Sequence, residues 1–158
     1  MTIRAGSKLD ATDLALPDVV TGYANGENTV TATSFADLPT IACAASILNP
    51  HPGAAMLVSV FWGAWMSASA NSVRCCPRIS GSKTLVAGIG GGGAIGWGEI
   101  PVTGSSLYVT GSGHFTTELP ASANAAVFTM QAMRDSASGT QKVDYAVIRV
   151  VPIRFVFE

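Results

Sequence analysis

The chain is poor in charge. Of 158 residues, Lys and Arg supply nine and Asp and Glu ten, which is 12% of the sequence. Charged residues normally make up about a quarter of a globular chain. No Asp, Glu, Lys or Arg stands between Asp37 and Arg74. The basic residues are scattered, and with a net charge of −1 there is no stripe to neutralise phosphates, so a nucleic-acid partner is not expected. Cysteine is scarce too. Cys43, Cys75 and Cys76 are an odd set, and neighbours in the chain bridge only with strained geometry. Buried, reduced thiols are expected in place of a disulfide framework.

Histidine is limited to His51 and His114, without the spacing of a metal site. No long hydrophobic run is present. The most apolar stretch, 54–70, is broken by Ser59, Gly63, Ser67 and Ser69 and falls short of the ~20 residues of a spanning helix. The opening Met1-Thr2-Ile3-Arg4-Ala5-Gly6 lacks an apolar core of signal-peptide type. A soluble chain without membrane contact is expected. No amphipathic helix pattern appears after residue 17.

What is there reads as β-structure. Alternating apolar and polar residues recur between Gly, Ser, Pro and Asn clusters. Asn25-Gly26 has the chemistry of a hairpin turn, followed by the alternation Thr29-Val30-Thr31-Ala32-Thr33. A strand is predicted within 35–48 and another over 56–66. A hairpin is predicted around Ser80-Gly81-Ser82, and two short strands around a Gly111-Ser112-Gly113 turn. A further strand covers 126–133. The last runs over 142–157, with Val143, Tyr145, Val147, Val151, Ile153, Phe155 and Phe157 on one face and Arg149 as the exception. Pro152 cannot donate to a ladder and is placed at an edge, a bulge or a break. Short strands at this spacing predict one all-β domain over 18–158, an antiparallel β-sandwich or jelly roll. Residues 1–17 form a more charged, extended N-terminal arm, with Ile3, Arg4, Leu9, Leu14 and Leu16 as its anchoring side chains.

Catalytic patterns fail on context. Gly88-Ile89-Gly90-Gly91-Gly92-Gly93 matches the spacing of a dinucleotide-binding loop, but no helix can follow through Gly96, Gly98 and Pro101. No Ser lies in a nucleophile elbow, and pairing Glu99 with Glu118 is arbitrary among ten acidic residues. No enzymatic activity and no cofactor are expected. Strand 56–66 is apolar on both faces, so one face meets the core and the other a neighbour. Met56, Val58, Val60, Trp62 and Met66 are the candidate interface residues. Trp97, beside the Gly-rich loop, and His114 mark a candidate ligand loop.

The opening segment Met1-Thr2-Ile3-Arg4-Ala5-Gly6-Ser7-Lys8-Leu9-Asp10-Ala11-Thr12-Asp13-Leu14 resembles the start of small virion proteins of tailed phages, particularly those that infect actinobacteria. The remainder is similar in pattern to the jelly-roll domains of C1q/TNF-like trimers. The resemblance implies a virion structural protein assembled in the host cytoplasm. It further implies a homotrimer seated on major capsid or tail proteins, as capsid decoration or as a tail-fibre or baseplate tip that binds host-surface glycan.

Overall fold

The computed structural model describes residues 18–48, 54–66, 72–85, 107–120, 122–134 and 139–153. The expectations about residues 1–17 and about Trp97 lie outside the described residues. All the described regular structure is strand: β1 (Val20–Thr29), β2 (Ala36–Asp37), β3 (Ala44–Ile47), β4 (Ala54–Met66), β5 (Val73–Gly81), β6 (Leu107–Leu119), β7 (Ala126–Arg134) and β8 (Gln141–Ile153). They form two antiparallel sheets. The first has the order β1-β8-β4-β6. The second is centred on β7, with β5 along one side and β2 and β3 in line along the other.

The pairing is nested. β1 pairs β8, β2 and β3 pair β7, β4 pairs β6, and β5 meets the returning chain at the Ile79–Leu85 bridge. The chain thus behaves as one long hairpin wound on itself. Two further ladders, β4 with β8 and β5 with β7, join its turns. The reversal predicted at Ser80-Gly81-Ser82 is present. Gly81 takes a φ of +88° there, and Ile79 and Leu85 exchange both backbone hydrogen bonds at 2.9 and 3.0 Å.

Alternation puts one face of each sheet into a shared core. Ala24, Met56, Ala64, Leu119, Val143, Ala146, Ile148 and Val150 from the first sheet meet Ala45, Ile47, Cys75, Ile79, Phe128, Met130 and Ala132 from the second. All three cysteines are buried and unbridged. The Cys43 thiol donates to the carbonyls of Gly22 at 3.5 Å and Ala146 at 3.4 Å. Burial pushes its pKa up to about 11. Burial also pushes the Cys75 thiol up, with Cys76 and Cys43 adding to the effect. Thiols so held are protonated small hydrophobes, not nucleophiles.

Several sequence expectations are corrected by the ladders. Asn25-Gly26 is a bulge inside β1 and not a hairpin turn. Between Asn25 and Asn28, β1 advances three positions while β8 advances two, from Tyr145 to Val143. Gly26 adopts φ +137°, open to glycine and strained for other residues. Against β4 the slip runs the other way: the consecutive Gly63 and Ala64 face Tyr145 and Val143, so on that side Asp144 is the extra residue, a bulge in β8.

That bulge inverts the facing of β8. Val143 points inward, but beyond it Ala146, Ile148, Val150 and Pro152 are the buried residues. Tyr145, Val147, Val151 and Ile153 lie outward with Arg149, which is therefore no exception. Pro152 lies past the end of the β1 ladder, which stops at Val20–Val150. It needs no donor on that side.

Two more assignments change. The segment 35–48 holds two short strands, not one. The interruption is held by Asn28, whose Oδ1 accepts from the backbone N–H groups of Thr40 and Ile41, both at 2.9 Å. Gly111-Ser112-Gly113 is not a turn. β6 runs straight through it, with Gly111 opposite Trp62 and Gly113 opposite Val60.

The outer face of the second sheet carries a polar clasp. Arg78 on β5 reaches over β7 to Asp37 on β2, donating from Nε at 2.9 Å and Nη2 at 2.8 Å. Gln131 donates to the same carboxylate at 2.8 Å. The hydrogen bonds from Arg78 hold the Asp37 carboxyl below its ordinary value of 3.8, against a smaller opposing effect of burial. A carboxylate with a lowered folded pKa adds stability above the unfolded value and loses it as pH falls through the folded one. Asp37 is half exposed, so its contribution stays below about 1 kcal/mol. Asp37→Asn should therefore melt slightly earlier than the parent at pH 6, with the gap closing as pH falls below about 4. Parallel melting curves over that range would rule out the clasp as a source of acid sensitivity.

Candidate interaction surface

The outer face of the first sheet is where exposed side chains and chemistry coincide. Its rows follow from the register. Thr21, Arg149, Ser59 and His114 stand side by side on β1, β8, β4 and β6. The next row is Tyr23, Val147, Phe61 and Ser112, and the next Asn25, Tyr145, Gly63 and Thr110. Of β4, the side chains at 57, 59, 61 and 65 lie outside the described residues.

Among the described side chains of this face, three tyrosines are the largest exposed groups. Tyr23 is 68% exposed, Tyr108 50% and Tyr145 42%, which for rings this large leaves a substantial area of each available to a partner. Tyr23 and Tyr145 are diagonal cross-strand neighbours, roughly 7–8 Å apart. Tyr108 starts opposite Trp65, but its ring lies back across β4, so that a Cβ on Gly63 would overlap the phenol oxygen. The ring occupies the space that a side chain at 63 would take. Gly63 is thus what lets the third tyrosine lie down beside the Tyr145 row. Val147, Val151 and Ile153 add half-buried apolar surface on β8.

Charge on this face is sparse. Arg149 and His114 are both exposed, as is Glu118 two outward positions beyond His114 on β6. Lys83 donates to the backbone carbonyl of Glu118 at 2.7 Å and to Thr117 Oγ1 at 2.8 Å, tying the second sheet to the end of β6. The Lys142–Glu27 ion pair at 2.6 Å closes the end of the sheet next to the bulge.

The sequence-derived sites fall as follows. Met56 is wholly buried in the chain's own core, together with Ala64. This corrects its assignment to a subunit interface, because β4 turns that parity inward. The side chains of Val58, Val60, Trp62 and Met66 lie outside the described residues. So do the proposed anchoring residues Ile3, Arg4, Leu9, Leu14 and Leu16, and so does Trp97. His114 is exposed on the outer face, in the Arg149 row. Tyr145, Val147 and Arg149 are surface residues that unbroken alternation through Asp144 does not reveal. The signal in the sequence is Arg149 itself, a charge within an otherwise apolar row.

Among the described residues, no cluster of His, Cys, Asp or Glu is arranged to hold a metal ion, and no helix is long and apolar enough to cross a membrane. A small cleft of about 80 Å³ lies between the end of β1 and β2, lined by Thr29, Thr31, Ala36, Asp37 and Pro39 among others. Its one charged group, Asp37, is already engaged by Arg78. Neither protein-family models nor curated protein sequences match the chain.

Proposed function

We propose that this chain is a non-enzymatic structural protein of a tailed-phage particle. In this reading it is a homotrimeric jelly roll of C1q/TNF-like type, displayed as capsid decoration and attached through residues 1–17. The nested pairing of the strands supports the jelly-roll type, since a hairpin wound on itself yields two interleaved Greek keys. The observation that carries the assembly is the outer face of the first sheet. Three exposed tyrosines and a half-buried valine row, on a chain with 12% charged residues, form the composition of a subunit contact and not of a solvated sheet. Burying that face against a second copy removes aromatic surface from water, and tyrosines do this at low entropic cost. The partners of this reading are other copies of the chain and the major capsid or tail proteins beneath it.

The test is the mass of the full chain in solution, by light scattering across a range of concentrations. A concentration-independent particle of three times 16.2 kDa is the expected result. A stable monomer at micromolar concentration would count against the trimer. It would turn attention to the second reading, a tail-fibre or baseplate tip on which the Tyr23, Tyr145 and Tyr108 rings stack against host-surface glycan. That reading is favoured by the same rings and is tested by glycan binding of Tyr145→Ala.

A further inference from the structure

Resting on that assembly, we infer that Arg149 of one copy pairs with Glu118 of a neighbouring copy, and that this ion pair sets the register of the subunit contact. Arg149 stands on β8, one of the two central strands of the sheet. Around it are Thr21, Val147, Val151 and the Tyr23 ring. Among the described residues its guanidinium has neither a hydrogen-bond nor an ion-pair partner. In water this costs nothing. Covered by a second apolar face, an unpaired guanidinium is strongly unfavourable, because the lost hydration is not replaced. Any surface that covers the tyrosines must therefore bring an acceptor to Arg149.

Glu118 is the acceptor the same face supplies. It is the one carboxylate at an outward ladder position on the described strands of this sheet, and its side chain likewise has no partner among them. Glu27 is engaged by Lys142, and Asp37, on the other sheet, by Arg78. Asp144 is passed over at the bulge, and Asp18 precedes β1. The pair cannot form within one chain. Arg149 is level with Ser59 and Glu118 with Ala55, which separates them by roughly 13 Å along the strands and roughly 10 Å across two strand spacings. Arg149 lies at the centre of the face and Glu118 on its β6 edge. A contact that lays the β6 edge of one copy on the β8 region of the next brings them together. Repeated head to tail with a rotation of a third of a turn, such a contact closes the proposed trimer.

The experiment is a charge swap in the full chain, read by light scattering and sedimentation over a concentration series. Arg149→Glu and Glu118→Arg should each weaken the assembly by roughly 30-fold or more in dissociation constant, while the double variant recovers most of that loss. An assembly unaffected by Arg149→Glu, or a double variant as weak as the two losses combined, would overturn the pairing and leave the trimer standing. A monomeric parent protein would overturn the assembly and the pairing with it. Far-UV circular dichroism checks that each variant is folded. Should a reversal fail that check, the neutral cycle of Arg149→Gln, Glu118→Gln and their double serves instead, and strictly additive losses would sink the proposal.

Discussion

Gly22→Ala should destabilise the protein by about 3 kcal/mol or more, lowering the melting temperature by roughly 6–12 °C. Gly22 is buried on the inward side of β1, where β3 crosses closest. A Cβ built there would overlap the carbonyl oxygen and carbon of Ala44, with the Ala45 nitrogen 2.9 Å away. These are backbone atoms of a paired strand and cannot swing aside as a side chain can. The Gly22 carbonyl also accepts from the Cys43 thiol, so a shift of β1 disturbs the same corner twice. Gly63→Ala is the control. Its added Cβ would overlap only the far end of the exposed Tyr108 ring, which can rotate into solvent. Little loss of stability is expected at Gly63, and the displaced ring should weaken the self-association proposed above. Equal thermal losses for the two variants, measured by melting at one protein concentration, would show that the sheets do not meet at Gly22 as described.

Asn28→Ala should cost about 2–4 kcal/mol, with the loss seen in equilibrium denaturation. Asn28 is fully buried. Its Oδ1 holds two backbone N–H groups of the β2–β3 connection at 2.9 Å each, and its Nδ2 donates to the Gly26 carbonyl at 3.3 Å. One side chain thus fastens the bulge in β1 to the segment that interrupts the edge of the second sheet. Alanine leaves those donors without their acceptor and opens a space in a packed corner. Asp at this position keeps the acceptor but buries a charge and loses the donor, so it should rescue little. Retention of full stability in Asn28→Ala would mean that the connection is held elsewhere.

The residues that were hard to read are of one kind. Alternation through 142–153 looks continuous, and nothing local to Asp144 announces a bulge. The bulge shows only in the pairing: the ladders of β8 with β1 and with β4 both shift register there. Asn25-Gly26 has hairpin chemistry, yet the same positive φ serves a bulge when the chain runs on straight beside a partner. Gly111 and Gly113 look like punctuation. In place they are ladder residues opposite Trp62 and Val60. Each of these outcomes depends on a strand distant in sequence, and pairing is not encoded in local pattern.

The sequence by itself determined the β class, the strands over β4 and β7, the reversal at Gly81 and the burial of three unpaired cysteines. Period, turn residues and composition act over a few neighbours, and those features need no more. Only the tertiary structure decided which face of β4 and β8 is core. It sent Met56 inward, and it set Tyr23, Tyr108, Tyr145 and Arg149 together on one outer face. A one-residue slip exchanges the two faces of a strand, and that slip is imposed by the partners across the sheet.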